Sequence, residues 1–305
     1  MFTMHRQITI TRILIFVLLT FGLSFLTGCH KREGGSSLKQ PEFTPDHLTI
    51  IGNGVESAEI FTFSELKGME EAQVGECYSI VNDWPTKKLM VGKGVKISNL
   101  LEEAGIKTEA QAIIVWAADG YNATFTREQL HEKRFYFPKL LEDTEEGAKE
   151  VPAILAWEYR EGTSDLSQAT SGKLCLLLGQ KGLNNAIAPV CVKDVVTLEV
   201  LTKSPGCWDE VQASPKPGKV EPGTEIFLNH PEQDKVKIYY TIDGSTPDEK
   251  SLLYNPSTTY FQPDLNKPII INDSMTIKTT VIGFGKHRYQ HLFMKWNNLL
   301  CRNYE

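Results

Sequence analysis

From residue 47 onward the chain is written in short apolar runs separated by turn residues. HLTIIG, from His47, predicts a strand, and Ser64 is placed to cap a short helix over ELKGM. In VKISNLLEEAGIK the apolar Ile97, Leu100, Leu101 and Ala104 recur on one helical face, and Gly105 supplies the stop. AIIVWAADGYNATFT reads as two strands about an Asp119-Gly120 turn. Thr126 and Gln129 have capping-box spacing and open a short helix, REQL. VPAILAWEY, KLCLLLGQ and VVTLEVL add further β-rich segments. Strands interrupted by short helices predict an α+β domain with mixed sheets over residues 46–202.

The pattern changes at KSPGCWDEVQASPKPGKVEPG, Lys203 to Gly223, where repeated prolines and glycines mark a linker over 203–219. Beyond it, VKIYYTIDGSTPD alternates β-branched and aromatic positions into an Asp243-Gly244 hairpin turn. KPIIINDSMTIKTTVIGFGK adds two strands around Asn272-Asp273. Helical periodicity is absent here, so residues 220–296 are expected to form a small all-β antiparallel sandwich, followed by a tail at 297–305.

The amino end has a different period. After His5, Arg6 and Arg12 an uncharged run, ILIFVLLTFGLSFLTG, extends from Ile13 to Gly28. It is shorter than the roughly 20 residues of a membrane span and has the form of an export signal over residues 1–28. It ends in Leu26-Thr27-Gly28-Cys29, which resembles the lipobox of bacterial lipoproteins. The resemblance implies cleavage before Cys29, a palmitate-type lipid anchor on that residue, and a chain held on a bacterial membrane facing the extracytoplasmic side. Each buried lipid CH₂ contributes about 0.8 kcal/mol, so two or three chains hold firmly. Residues 29–45, polar and bounded by prolines, then read as a flexible tether.

Composition removes several classes of function. Lys plus Arg number 32 against 38 Asp plus Glu, a net charge of −6, which supplies no cationic footprint for nucleic acid. Beyond Cys29 lie Cys77, Cys175, Cys191, Cys207 and Cys301, without the C-x-x-C spacing of a structural zinc site. Cys175 and Cys191 sit in apolar runs and read as small buried fillers, with a disulfide between them left open. Asp243 and Asp248 lack the spacing of a calcium loop, and His287 and His291 lie in strand-like context, so neither pair predicts a metal. Neither a Gly-rich phosphate loop nor a G-x-S-x-G elbow occurs. Tyr239, Tyr240, Tyr254, Tyr260 and Trp296 are available for stacking on sugars, though a small sandwich needs some of them for its core.

Two resemblances refine this outline. KGVKISNLLEEAGIK, ADGYNATFTREQL, VPAIL and LLLGQ together resemble the oxidoreductase molybdopterin-binding domain of the sulfite oxidase superfamily, over residues 46–202. VEPGTEIFLNHPEQDKVKIYYTIDGSTPDEKSLLYNP and TIKTTVIGFGK are similar to the chitobiase/β-hexosaminidase C-terminal domain, a fibronectin-like (immunoglobulin-like) sandwich. The first resemblance implies that Cys77 is the molybdenum ligand, since a soft thiolate suits such a metal. Three features of the chain oppose it. Glu76 beside Cys77 disfavours the thiolate. Only Arg127, Arg134 and Arg160 are present to fork onto a pterin phosphate, and Lys87, Lys88 and Lys93 substitute with poorer geometry. MHRQITITR contains no Arg-Arg pair, whereas enzymes of that family leave the cytoplasm folded through the twin-arginine path.

Cys77 is therefore expected to pack rather than coordinate, with molybdopterin as the rival cofactor and no catalytic residue assigned. The candidates for ligand contact are Asp119 and Tyr121 in the A-D-G-Y turn, and Gln180 and Asn184 in the GQKGLNN loop. The chitobiase-like module does not imply glycosidase chemistry, because no barrel-length region carries a carboxylate pair. The expectation is an extracytoplasmic, lipid-anchored protein that binds a ligand, polysaccharide or envelope protein without catalysis. The alternatives are a molybdopterin oxidoreductase and carbohydrate attachment through the sandwich.

Overall fold

A computed structural model describes residues 47–259 and 262–298. The signal segment, Cys29, the tether, Tyr260, Cys301 and all but the first two residues of the tail lie outside the described residues. Among the described residues no helix is long and apolar enough to cross a membrane.

The first module runs β1 (His47–Ile51), β2 (Glu59–Thr62), α1 (Phe63–Gly68), β3 (Gln73–Val81), β4 (Lys87–Lys96), α2 (Ile97–Glu103), β5 (Ala112–Ala117), β6 (Asn122–Thr126), α3 (Arg127–His131), β7 (Phe135–Tyr136), β8 (Lys149–Glu150), β9 (Ile154–Glu161), β10 (Thr170–Leu177) and β11 (Val195–Leu201). One sheet has the order β2-β1-β11-β5-β6 and is mixed, because β1 and β11 run parallel while the other pairs are antiparallel. The other, β10-β9-β4-β3, is antiparallel. Every residue of β5, AIIVWA, is buried, which suits an apolar strand flanked on both edges and covered on both faces. The β4–β9 pair is close enough at Gly94 that a Cβ there would sit 2.2 Å from the Leu155 carbonyl oxygen, so only glycine fits.

Helix α2 forms where the periodicity places it. Ile97, Leu100, Leu101 and Ala104 are all buried, and Gly105 takes a φ of +65° past its end. Helix α1 starts two residues earlier than expected. Thr62, not Ser64, is its cap: Thr62 Oγ1 accepts from Glu65 N–H at 3.2 Å, and the Glu65 carboxylate accepts from Thr62 N–H at 2.8 Å. The capping box predicted at Thr126 and Gln129 is present at the head of α3.

The second module runs β12 (Gln212–Ser214), β13 (Gly218–Val220), β14 (Thr224–Asn229), β15 (Val236–Thr241), β16 (Leu252–Leu253), β17 (Ile269–Ile271), β18 (Met275–Gly283) and β19 (Tyr289–Asn298). Its sheets, β12-β14-β17 and β13-β19-β18-β15-β16, enclose Ile226, Ile238, Ile271, Ile277, Val281 and Trp296. The architecture is mostly β, with a sandwich-like second module. Two expectations change here. The stretch 203–219 is more than a linker, because Trp208 and Val211 are buried in the sandwich core and β12 pairs with β14. Asp243-Gly244 does not close a tight hairpin: β15 pairs with β16 across residues 242–251, and Asp243 accepts from Ser245 N–H at 2.9 Å to hold a local turn.

Candidate functional site

The connection between β18 and β19 reaches out of the sandwich and seats Phe284 against the first module. Its ring meets Phe125 edge-on, with centroids 5.5 Å apart, and Arg134 lies over it with the guanidinium carbon 5.1 Å from the centroid. Gln129 clamps this tip. Its Oε1 accepts from Thr126 N–H at 2.9 Å and from Gly285 N–H at 3.2 Å, while Nε2 donates to the carbonyls of Gly283 at 2.8 Å and Lys286 at 3.4 Å. The side chain that caps α3 is thus the same one that fastens the second module.

A chain of alternating charge crosses the seam beside the clamp. Arg134 pairs with Glu132 at 3.1 Å, Lys181 with Glu132 at 3.3 Å and with Glu249 at 2.7 Å, and Arg288 closes on Glu249. Arg134 is almost wholly buried, and its remaining donors reach the Gln129 carbonyl at 3.2 Å, the Gly179 carbonyl at 3.3 Å and Asn185 Oδ1 at 3.4 Å. Burial pulls its pKa down, Glu132 and Glu249 pull it back, and a guanidinium stays charged regardless. Burial pushes the Glu249 carboxyl up, but the hydrogen bond from Lys181 and the charge of Arg288 outweigh it and hold the group below its ordinary value.

Between the modules this network borders a cavity of about 400 Å³, inside the ~300–1,000 Å³ range usual for small-molecule sites. Tyr121 and Asn185 line it from the first module, and Lys237, Thr258, Phe284 and Arg288 from the second. Lys237 is 7% exposed on β15, whose first four residues are all buried. Its ammonium donates to the carbonyls of Pro256 at 2.7 Å and Asn255 at 3.3 Å. Burial lowers its pKa to about 8, with Asp83 acting in the opposite direction. Thr258 N–H donates to the Asp83 carbonyl at 3.3 Å, yet its buried hydroxyl oxygen has no hydrogen-bond partner.

The sequence candidates scatter about this cavity. Tyr121 lines it half-exposed, its hydroxyl donating to the Pro189 carbonyl. Asp119 instead holds the turn, accepting from Tyr121 N–H at 2.9 Å. Gln180 is fully buried and donates to the carbonyls of Asn185 at 2.9 Å and Gly182 at 3.3 Å, so it shapes the loop. Asn184 is exposed, and its neighbour Asn185 takes the lining position. Tyr239, Tyr254 and Trp296 are buried in the second module, and Tyr240 is half-buried. Lys237, Glu249 and Thr258 carried no sequence signal for a site; Gln129 had only its cap spacing, and Arg134 was weighed only as a contact for a pterin phosphate.

Cys77 lies away from the cavity, half-buried on β3, with Sγ donating to the Ser164 carbonyl at 3.2 Å. Burial and then Glu76 raise its pKa, and Lys149, itself paired with Glu76 at 2.7 Å, only partly offsets them. Of the guanidinium groups, Arg134 is committed at the seam and Arg127 to the carbonyls of Lys107 at 3.0 Å and Thr108 at 2.8 Å. A thiol with a raised pKa, hydrogen-bonded to a carbonyl, is not poised as a thiolate ligand, and Arg134 and Arg127 are spent elsewhere. Cys77, Cys175, Cys191 and Cys207 are all free thiols, and burial pushes Cys191 up to about 12. Among the described residues no cluster of three or more His, Cys, Asp or Glu side chains forms a metal site.

A search of curated proteins finds no match. Among solved structures the chain is similar to the sulfane dehydrogenase SoxCD from Paracoccus pantotrophus, at 14% identity and a TM-score of 0.35, covering 81% of this chain and 70% of that one. So distant a likeness leaves the family of the first module open. Residues 215–289, which supply Lys237, Thr258, Phe284 and Arg288 to the cavity, match the family model of the chitobiase/beta-hexosaminidase C-terminal domain, a carbohydrate-binding-like module.

Proposed function

We propose that this chain is a lipid-anchored, extracytoplasmic bacterial binding protein that holds a saccharide or similar small ligand, without catalysis, in the cavity between its two modules. The cavity is the observation that carries the reading. It is of small-molecule size and lined by a module matched to a carbohydrate-binding-like family. It also presents the half-exposed ring of Tyr121, and the half-exposed Trp84 follows the lining residue Asp83. Exposed aromatic rings beside amide, hydroxyl and charged groups are the combination by which sugars are held, ring face on ring face with polar groups around the rim. Anchoring through Cys29 rests on the lipobox resemblance.

Calorimetric titration of the full chain with a panel of mono- and oligosaccharides tests the reading. At least one sugar should bind, and Tyr121→Ala should weaken it about tenfold. A panel with no binder removes the proposal. Labelled palmitate should enter the wild-type chain in a bacterial host and not Cys29→Ala.

One observation favours a second reading. Cys77, Val91 and the exposed Arg160 stand in one cross-strand row over β3, β4 and β9. A rival oxidoreductase would use that face, and molybdenum and pterin assayed in natively produced protein, lost in Cys77→Ala, would establish it.

A further inference from the structure

The cavity holds two polar groups that packing has left incomplete. The first is the Lys237 ammonium. An ammonium has three donors, and the hydrogen bonds of this one go to two backbone carbonyls, of Asn255 and Pro256, which carry no formal charge. A buried cation whose hydrogen bonds all go to carbonyls is under-neutralised, since no hydrogen-bonded anion offsets its removal from water. Asp83 is the carboxylate whose charge acts on it. The other lining lysines and arginines have nearer partners: Lys181 and Arg288 share Glu249, Arg134 holds Glu132, and Glu232 takes Lys286 at 2.5 Å and Lys235 at 3.1 Å. The second group is the Thr258 hydroxyl, buried without a partner on the same cavity. A buried hydroxyl left without a partner favours any ligand that supplies one.

One chemical group completes both. A carboxylate is acceptor-only, carries the missing negative charge, and has two oxygens with which to take an ammonium donor and a hydroxyl donor together. Resting on the reading of the cavity as a saccharide site, we propose that its ligand is an acidic sugar of the uronic-acid class, whose carboxylate is received by Lys237 and Thr258 while its ring lies toward Tyr121. A neutral sugar would leave the buried ammonium as it stands, so the acid should be the preferred ligand.

The test is titration of the full chain at pH 7 with galacturonic and glucuronic acids, with galactose and glucose, and with inorganic phosphate. At least one uronic acid should bind ten times or more tighter than its neutral counterpart. Lys237→Met, which keeps the length of the stem, should abolish that preference. Thr258→Val should reduce the preference by a few fold without lowering the melting temperature, and it carries the test alone should Lys237→Met not fold. Equal affinity for acid and neutral sugar, a preference that survives Lys237→Met, or one that Thr258→Val leaves undiminished, overturns the carboxylate assignment and leaves the saccharide reading standing. Phosphate displacing uronate at comparable concentration makes this an anion site and overturns the sugar assignment. If neither acid nor neutral sugar binds, both proposals fall together.

Discussion

Cys77 and Lys237 make an instructive pair. Cys77 is the group a reader of the sequence notices, a lone cysteine between β-forming residues before a Trp-Pro turn. In the fold its thiol is spent on the Ser164 carbonyl and its pKa is raised, both of which quiet it. Lys237 is one polar letter in an alternating strand. In the fold it is buried, its pKa falls to about 8, and its partners leave a charge incompletely answered beside a cavity. Packing, and not residue type alone, sets the chemistry of both side chains.

The largest effect that would break this contrast is at the seam. Arg134→Ala strips a buried guanidinium from Glu132 and from three oxygen acceptors, and should cost about 3–5 kcal/mol in urea unfolding, with loss of ligand binding. A loss under 1 kcal/mol would mean the seam is not a structural unit. Gln129→Ala removes a helix cap and both clamp donors, and should cost about 2–3 kcal/mol. Gln129→Glu can keep the capping interaction but turns acceptor oxygens toward the Gly283 and Lys286 carbonyls. Hydrogen exchange at 283–288 should rise in both variants.

The pH dependence separates two seam residues by sign. Glu249 is held below its ordinary pKa, so the unfolded chain takes up its proton first. Its contribution is complete above the usual carboxylate range and is lost as pH falls through the lower folded value. Glu249→Gln should flatten that acid limb. Lys237 has the opposite arrangement. Its folded value of about 8 lies below the ordinary 10.5, so between those limits the unfolded chain binds more protons and stability from this residue grows as pH rises. Lys237→Met should remove that slope, and a titration curve unchanged by the substitution would return Lys237 to an ordinary exposed lysine.

The smallest effect belongs to Cys77. Cys77→Ser should change stability by under about 1 kcal/mol and leave saccharide affinity at the seam untouched, because the residue is half-buried and lies outside the cavity. A large loss of binding in that variant would join the two regions that the structure keeps apart.

Much of the fold was legible. The face of α2, the capping box of α3, the β5–β6 hairpin around Asp119-Gly120 and the change to an all-β second module all follow from local period and turn chemistry. The misreadings at Ser64, at Asp243-Gly244 and across 203–219 have one cause. In each case a short-range signal was outcompeted by a partner further along the chain: Glu65 back to Thr62, β16 for β15, and the sandwich core for Trp208. Tyr121 lines the cavity because turn residues after strands project outward, and Asn185 lines it rather than its neighbour Asn184 because loops have no period to fix which side chain turns in.

What the sequence determined by itself was element type, module order and an acidic charge balance, because these depend on neighbours along the chain and on composition. Only the tertiary structure decided that Gln129, Arg134, Lys181, Lys237, Glu249 and Thr258 meet. Burial, pairing and an unsatisfied donor are properties of the environment, and two modules had to close on one another before that environment existed.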